Sequence, residues 1–102
     1  MMPRHAALAL GLLLGSAGSS SEAADPAQGA DLYRRWCVNC HGPAGRPVLP
    51  GAPDFSRPTS LLRSDLELMT RIRDGRGAMP AFQGQLRDRE ILDVVAHLRT
   101  LR

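Results

Sequence analysis

Between residues 26 and 37, Gly29, Tyr33 and Trp36 or Cys37 return at three- and four-residue spacing, which marks one face of a helix running into Cys37. Its start is written in Asp25-Pro26-Ala27-Gln28. Aspartate accepts from the free amides of a first turn, proline suits the first helical position, and glutamine sits where a capping box needs it. A second helix opens at the capping box Ser64-Asp65-Leu66-Glu67, with Leu62, Leu66, Met69 and Ile72 or Arg73 expected on one side and Gly75 as its stop. A third runs from about Asp88 to Leu101, with Ile91, Val94, Val95, Leu98 and Leu101 on one face. Leu86 and Ile91 can staple its first turn around Arg87, with Glu90 at the third position. An arginine side chain accepts no hydrogen bond, so Asp88 is expected to cap instead, or the turn to fray.

The segments between these helices, GPAGRPVLPGAPDFSRP from Gly42 to Pro58 and GRGAMPAFQGQ from Gly75 to Gln85, hold too much glycine and proline for a helix or central strand. No period-two run is long enough for a strand and no segment repeats, so the class is all-α. A long irregular segment inside a small domain commonly wraps a ligand.

Ahead of the first helix, a basic start (Arg4, His5), an apolar block from Ala6 to Leu14 and a small, polar tail have the layout of a secretory leader. The apolar block is far shorter than the roughly 20 residues of a membrane span. Ser21-Glu22-Ala23 places the cut after Ala23, or after Ala24. The reading is a leader at 1–23 and one domain at 24–102, exported and with no membrane span in the mature form.

The chain is 102 residues long and carries a net charge of +3, all of its positive charge on arginine. The charge survives leader removal because Arg4 and Glu22 leave together, and both signs are interspersed along the chain. A nucleic-acid binder concentrates its positive charge on one face or element, so nucleic acid is not an expected partner. A domain of this size has a marginal core, and its only aromatic residues are Tyr33, Trp36, Phe55 and Phe82. A disulfide across two intervening residues would constrain the unfolded chain little. The expected staple is a bound group.

The stretch WCVNCH, Trp36 to His41, contains both cysteines. Three chemistries use such a pair. A zinc site needs two ligands more than CxxC, and the mature chain offers only His41 and His97. A dithiol redox pair belongs at a strand-to-helix junction, and no strand is expected. CxxCH is the attachment pattern of c-type haem: each thiol adds to one vinyl group, two intervening residues let the sulfurs straddle one edge of the macrocycle, and the next histidine reaches the iron. For the second axial position, Met69 lies on an apolar helix stripe, where methionine fills cores. His97 sits at a helix packing position. Met79, between Gly77-Ala78 and Pro80, lies in a loop that can aim its thioether at a metal, and it is the expected ligand.

With CVNCH, GAMP and three helices in hand, the chain resembles the class I c-type cytochromes of the small, single-haem bacterial kind. GADLYRRWCVNCHG (Gly29 to Gly42), IRDGRGAMPAF (Ile72 to Phe82) and EILDVVAHLRTL (Glu90 to Leu101) match that family's first helix and haem site, its methionine loop and its closing helix. The resemblance implies a cytochrome c-like fold, three main helices with long loops wrapped around one covalent haem c. Cys37 and Cys40 would carry the thioethers, and His41 and Met79 would be the axial ligands. It implies that Gly29 and Tyr33 cross the last helix, where His97 stands at a position usually held by tyrosine. It also implies a proline carbonyl accepting from the axial histidine; Pro50 and Pro53 are placed for this, and Pro53 is favoured.

The implied function is a monomeric periplasmic one-electron carrier between respiratory redox proteins, not an enzyme. It would dock through an apolar patch at Val38, Ala78 and Pro80 rimmed by Arg76 and Arg46. The alternatives are a haem enzyme or small-ligand sensor with displaceable Met79, and a fixed cytochrome subunit of a larger oxidoreductase.

Overall fold

The computed structural model describes residues 23–102, so all but the last residue of the leader read at 1–23 lies outside it. Helix α1 spans Pro26–Trp36 and is capped as its sequence requires, the Asp25 carboxylate accepting from the amides of Ala27 and Gln28 at 2.9 and 3.3 Å. A break at Cys37 separates it from the short α2, Val38–His41. A 3-10 turn at Pro58–Leu61 precedes α3, Asp65–Asp74, whose first turn is held by the Ser64 hydroxyl accepting from the Glu67 amide at 3.1 Å. Helix α4 is Asp88–Leu98. Among the described residues there is no strand, and no helix is long and apolar enough to cross a membrane.

Helices α1 and α4 cross at Gly29. A Cβ there would lie 1.9 Å from the Asp93 carbonyl oxygen and 2.9 Å from the Val94 amide nitrogen, so the two backbones meet where only glycine fits. The Asp93 carboxylate tightens the same crossing by accepting from the Asp25 amide at 2.7 Å. Leu32 and Tyr33 from α1 and Ile91, Val94, Val95 and Leu98 from α4 are buried in the core this contact closes.

Gly29→Ala is expected to gain at most about 1 kcal/mol of helix propensity. It must also separate two packed helices, a distortion at or above the upper end of the usual 1–3 kcal/mol for overpacking, so the net loss is about 2 kcal/mol or more. For a domain of this size that lowers the melting temperature by about 8–16 °C, readable in a thermal unfolding scan.

Three expectations need correction. The buried face of α3 is Leu68, Met69 and Ile72, while Leu62 and Leu66 are 76% and 65% exposed. The α3 register is set from outside the helix. Arg99, just past α4, donates to Asp65 at 2.8 Å and to the carbonyls of Leu61 and Arg63 at 3.0 and 2.7 Å, tying the start of α3 to the end of α4. At the start of α4, Arg87 does occupy the cap position. The turn is secured in the reverse direction, by the Glu90 carboxylate accepting from the Arg87 amide at 2.9 Å. Finally, α4 stops at Leu98, because the Thr100 amide and hydroxyl turn back onto the His97 carbonyl at 2.9 and 2.6 Å; Leu101 still packs on the core.

Candidate haem centre

The Cys37 amide donates to the Tyr33 carbonyl at 2.9 Å and ends α1, and the Cys40 and His41 amides turn back on the Cys37 carbonyl at 3.2 and 3.0 Å. The two thiols are therefore presented from one tight turn. Both are free and partly buried. Burial first, and the neighbouring Cys40 second, pushes the Cys37 thiol up to about 11. A reactive redox CxxC has a depressed thiol instead, so the environment opposes that reading.

His41 closes α2 with its ring buried, and burial lowers the imidazole below its ordinary value. The ring is neutral at pH 7, the form that binds metal. It stacks on Phe55, centroids 4.8 Å apart and planes 24° from parallel. Its Nδ1 is buried and has no hydrogen-bond partner. The acceptor expected at Pro53 is not engaged with Nδ1; Pro53 is exposed, and Phe55 covers the face of the ring. Pro50 is likewise exposed.

The loop behind the motif folds back on it. The amides of Val48 and Leu49 both donate to the Cys40 carbonyl, at 2.9 and 3.0 Å, and the Phe55 amide donates to the Gly45 carbonyl at 2.9 Å. The methionine loop packs on the same core. Arg76 and Met79 exchange backbone bonds at 3.0 Å each, making a tight turn. Gly75 (φ 73°) lets that turn lie on the end of α3, since a Cβ there would sit 2.7 Å from the Met79 carbonyl oxygen and the Ala81 amide nitrogen. Beyond Pro80, Phe82 meets Trp36 edge-on with ring centroids 6.0 Å apart, and so joins this loop to the residue next to Cys37. Met79 is half-buried and packs on the same core cluster as Cys37 and Val38. Met69, in contrast, is buried in the core itself.

A buried polar atom left without a partner calls for an explanation, and an imidazole that follows two free thiols in one tight turn has a ready one. Cys37, Cys40 and His41 fit covalent haem attachment, and Met79 stands on the segment brought toward them. Phe55 against the imidazole, and the Tyr33 hydroxyl described below, are site features that the sequence reading did not assign. Phe55 carried no signal, because its place depends on a loop path with no period. The Tyr33 hydroxyl carried a weak one, since a buried tyrosine needs a partner for its oxygen.

His97, where the resemblance implies a tyrosine, packs on Tyr33, ring centroids 5.1 Å apart. Burial, with Arg34 second, holds it below its ordinary 6.5. The unfolded chain therefore takes the proton first. Stability that is complete above pH 6.5 is lost as the pH falls through the folded value. Between pH 7 and 5 the wild-type melting temperature is expected to fall further than that of His97→Tyr; equal slopes would show that His97 titrates alike in both states.

An all-helical domain with CxxCH at the end of its first helix and a methionine loop packed beside it defines a small c-type cytochrome. The family described as cytochrome c oxidase, cbb3-type, subunit III matches residues 24–98, and the chain belongs to this family of c-type cytochromes. It is 34% identical to cytochrome c-552 of Bradyrhizobium diazoefficiens, over 93% of this chain and 92% of that one. It is also 43% identical to part of the dihydro-heme d1 dehydrogenase of Pseudomonas aeruginosa, over 89% of this chain and 18% of that one. The solved structure of cytochrome c6 from the diatom Phaeodactylum tricornutum superposes with a TM-score of 0.65 at 26% identity, covering 74% of this chain and 92% of that one. The cofactor of the family is haem c and its role is electron transfer between redox proteins, not catalysis on a substrate.

Proposed function

We propose that this chain is a periplasmic one-electron carrier with a single haem c, attached through Cys37 and Cys40 and ligated by His41 and Met79. The observation that carries the reading is the buried, unpartnered His41 imidazole, which follows the free thiols Cys37 and Cys40 in one tight turn. When bound, the haem supplies the one-electron couple. His41 offers a neutral imidazole whose orientation is set by Phe55. Met79 offers a soft thioether, which favours the reduced metal and raises the potential. With His41 and Met79 both holding the iron, no position would be left open to a substrate.

Export follows from the leader read at residues 1–23. Docking would use Ala78, Pro80, Arg76 and Arg46, all exposed, together with half-buried Val38. Redox encounters use small interfaces of modest affinity, which suits a monomer. The test is an absorption spectrum of the processed protein in both oxidation states together with its mass. Colourless protein, or a mass without one porphyrin, sinks the reading.

A second reading has its own support. The family's description names an oxidase subunit, and a domain like this one forms a fraction of a larger dehydrogenase. The same centre would then serve a fixed partner. Size-exclusion chromatography of native extract separates the two, a carrier eluting alone and a fixed subunit with its complex.

A further inference from the structure

No hydrogen bond fixes Nδ1 of the His41 ring. Its orientation depends on the Phe55 face and on its own backbone, and that backbone is gripped from α1. The Tyr33 hydroxyl donates to the Gly42 carbonyl at 2.5 Å and lies 3.3 Å from the His41 carbonyl, in the buried interior. The Tyr33 ring is 1% exposed and packs on His97. Phenylalanine would fill the same space and pack against the same neighbour. Only the hydroxyl reaches the carbonyls.

We propose that Tyr33 is a positioning residue for the axial ligand, its hydroxyl fixing the His41 and Gly42 carbonyls and, through them, the aim and electron density of the imidazole. The inference rests on ligation by His41. An O–H dipole points its positive end at the histidine's backbone and so favours the state with the extra electron. Hydrogen bonding around a ligand is one of the levers by which a protein tunes haem. Loss of a direct partner of a ligating imidazole typically costs about 10–100-fold. Tyr33 acts one link further away, so about threefold is expected.

Tyr33 is the only tyrosine in the chain, so biosynthetic replacement of tyrosine by 3-fluorotyrosine, a stronger donor, alters this hydroxyl alone. The experiment uses processed, haem-loaded protein in a fixed redox buffer at pH 7, comparing wild type, Tyr33→Phe and the fluorotyrosine form. Tyr33→Phe should lower the ratio of reduced to oxidised protein about threefold and move the ferric low-spin electron paramagnetic resonance signal, with the far-UV spectrum unchanged. The fluorotyrosine form should move the ratio the opposite way. If Tyr33→Phe does not accumulate, the fluorotyrosine arm decides alone. Ratios and ferric signals equal to wild type, whatever the melting temperature, overturn the proposal and leave ligation standing. A colourless wild type overturns both.

Discussion

Replacing Cys37 and Cys40 together by alanine is expected to abolish covalent haem, so that the denatured protein has the mass of the polypeptide alone. Each thiol can form one thioether, and no other cysteine exists in the chain to take its place. The single variants should retain the porphyrin through one bond and survive denaturation with it. The double variant should release everything into acidified organic solvent. The effect reaches folding as well. The described core is a cluster of thirteen buried residues, small even for a domain of this length. A group that binds only the folded chain contributes about 2.7 kcal/mol at a hundredfold excess over Kd, and a covalent tether raises its effective concentration further. Losing about 3 kcal/mol lowers the melting temperature by about 12–24 °C for a domain of this size. Denaturing mass spectrometry and a thermal scan read the two effects separately. Porphyrin persisting on the denatured double variant would mean that attachment lies elsewhere.

The parts of this architecture that could be read along the chain are those that local chemistry determines. Asp25 caps α1, Ser64 caps α3 and Gly75 ends it, because each signal acts within four residues of its effect. That Gly29 stands at a helix crossing was implied by the family resemblance and by no local signal. The misses share another origin. Leu62 and Leu66 continue a helical stripe in sequence yet lie outside the core, because Arg99 fixes the start of α3 from 34 residues away. The Pro53 carbonyl does not reach the histidine Nδ1, and Phe55 covers the ring face, a placement that no local signal gives. Arg87 occupies a cap position it cannot serve, and Glu90 compensates from within the helix. At the site, residue types and spacing nominate the thiols, the imidazole and the thioether as the groups that would hold a haem. They could not give what surrounds the imidazole, which depends on how α1 and a proline-rich loop meet around it.

Met79→Ala is expected to keep covalent haem while opening the iron to exogenous ligands. As an iron ligand, the thioether would compete with any incoming ligand for one position. If it holds that position 99% of the time, only a hundredth of the protein is competent to bind, and removing the competitor raises apparent affinity by about 100-fold. Wild-type reduced protein should therefore resist carbon monoxide at neutral pH, and the variant should bind it readily. Its potential should fall as well, because a soft donor favours reduced iron and the variant would lack it. The competing candidates make the experiment decisive. Met69 is buried among core side chains, so Met69→Leu, which keeps its volume, should leave spectrum and ligand affinity unchanged. His97 packs on Tyr33 at the helix crossing, so His97→Tyr should alter acid stability and not the sixth position. The variants thus distinguish the three candidates by carbon monoxide affinity. A wild type that already binds carbon monoxide as tightly as Met79→Ala would mean that the thioether yields to small ligands. The centre would then belong with haem sensors or enzymes, and the turn that Arg76 and Met79 close by their paired backbone bonds would be a gate.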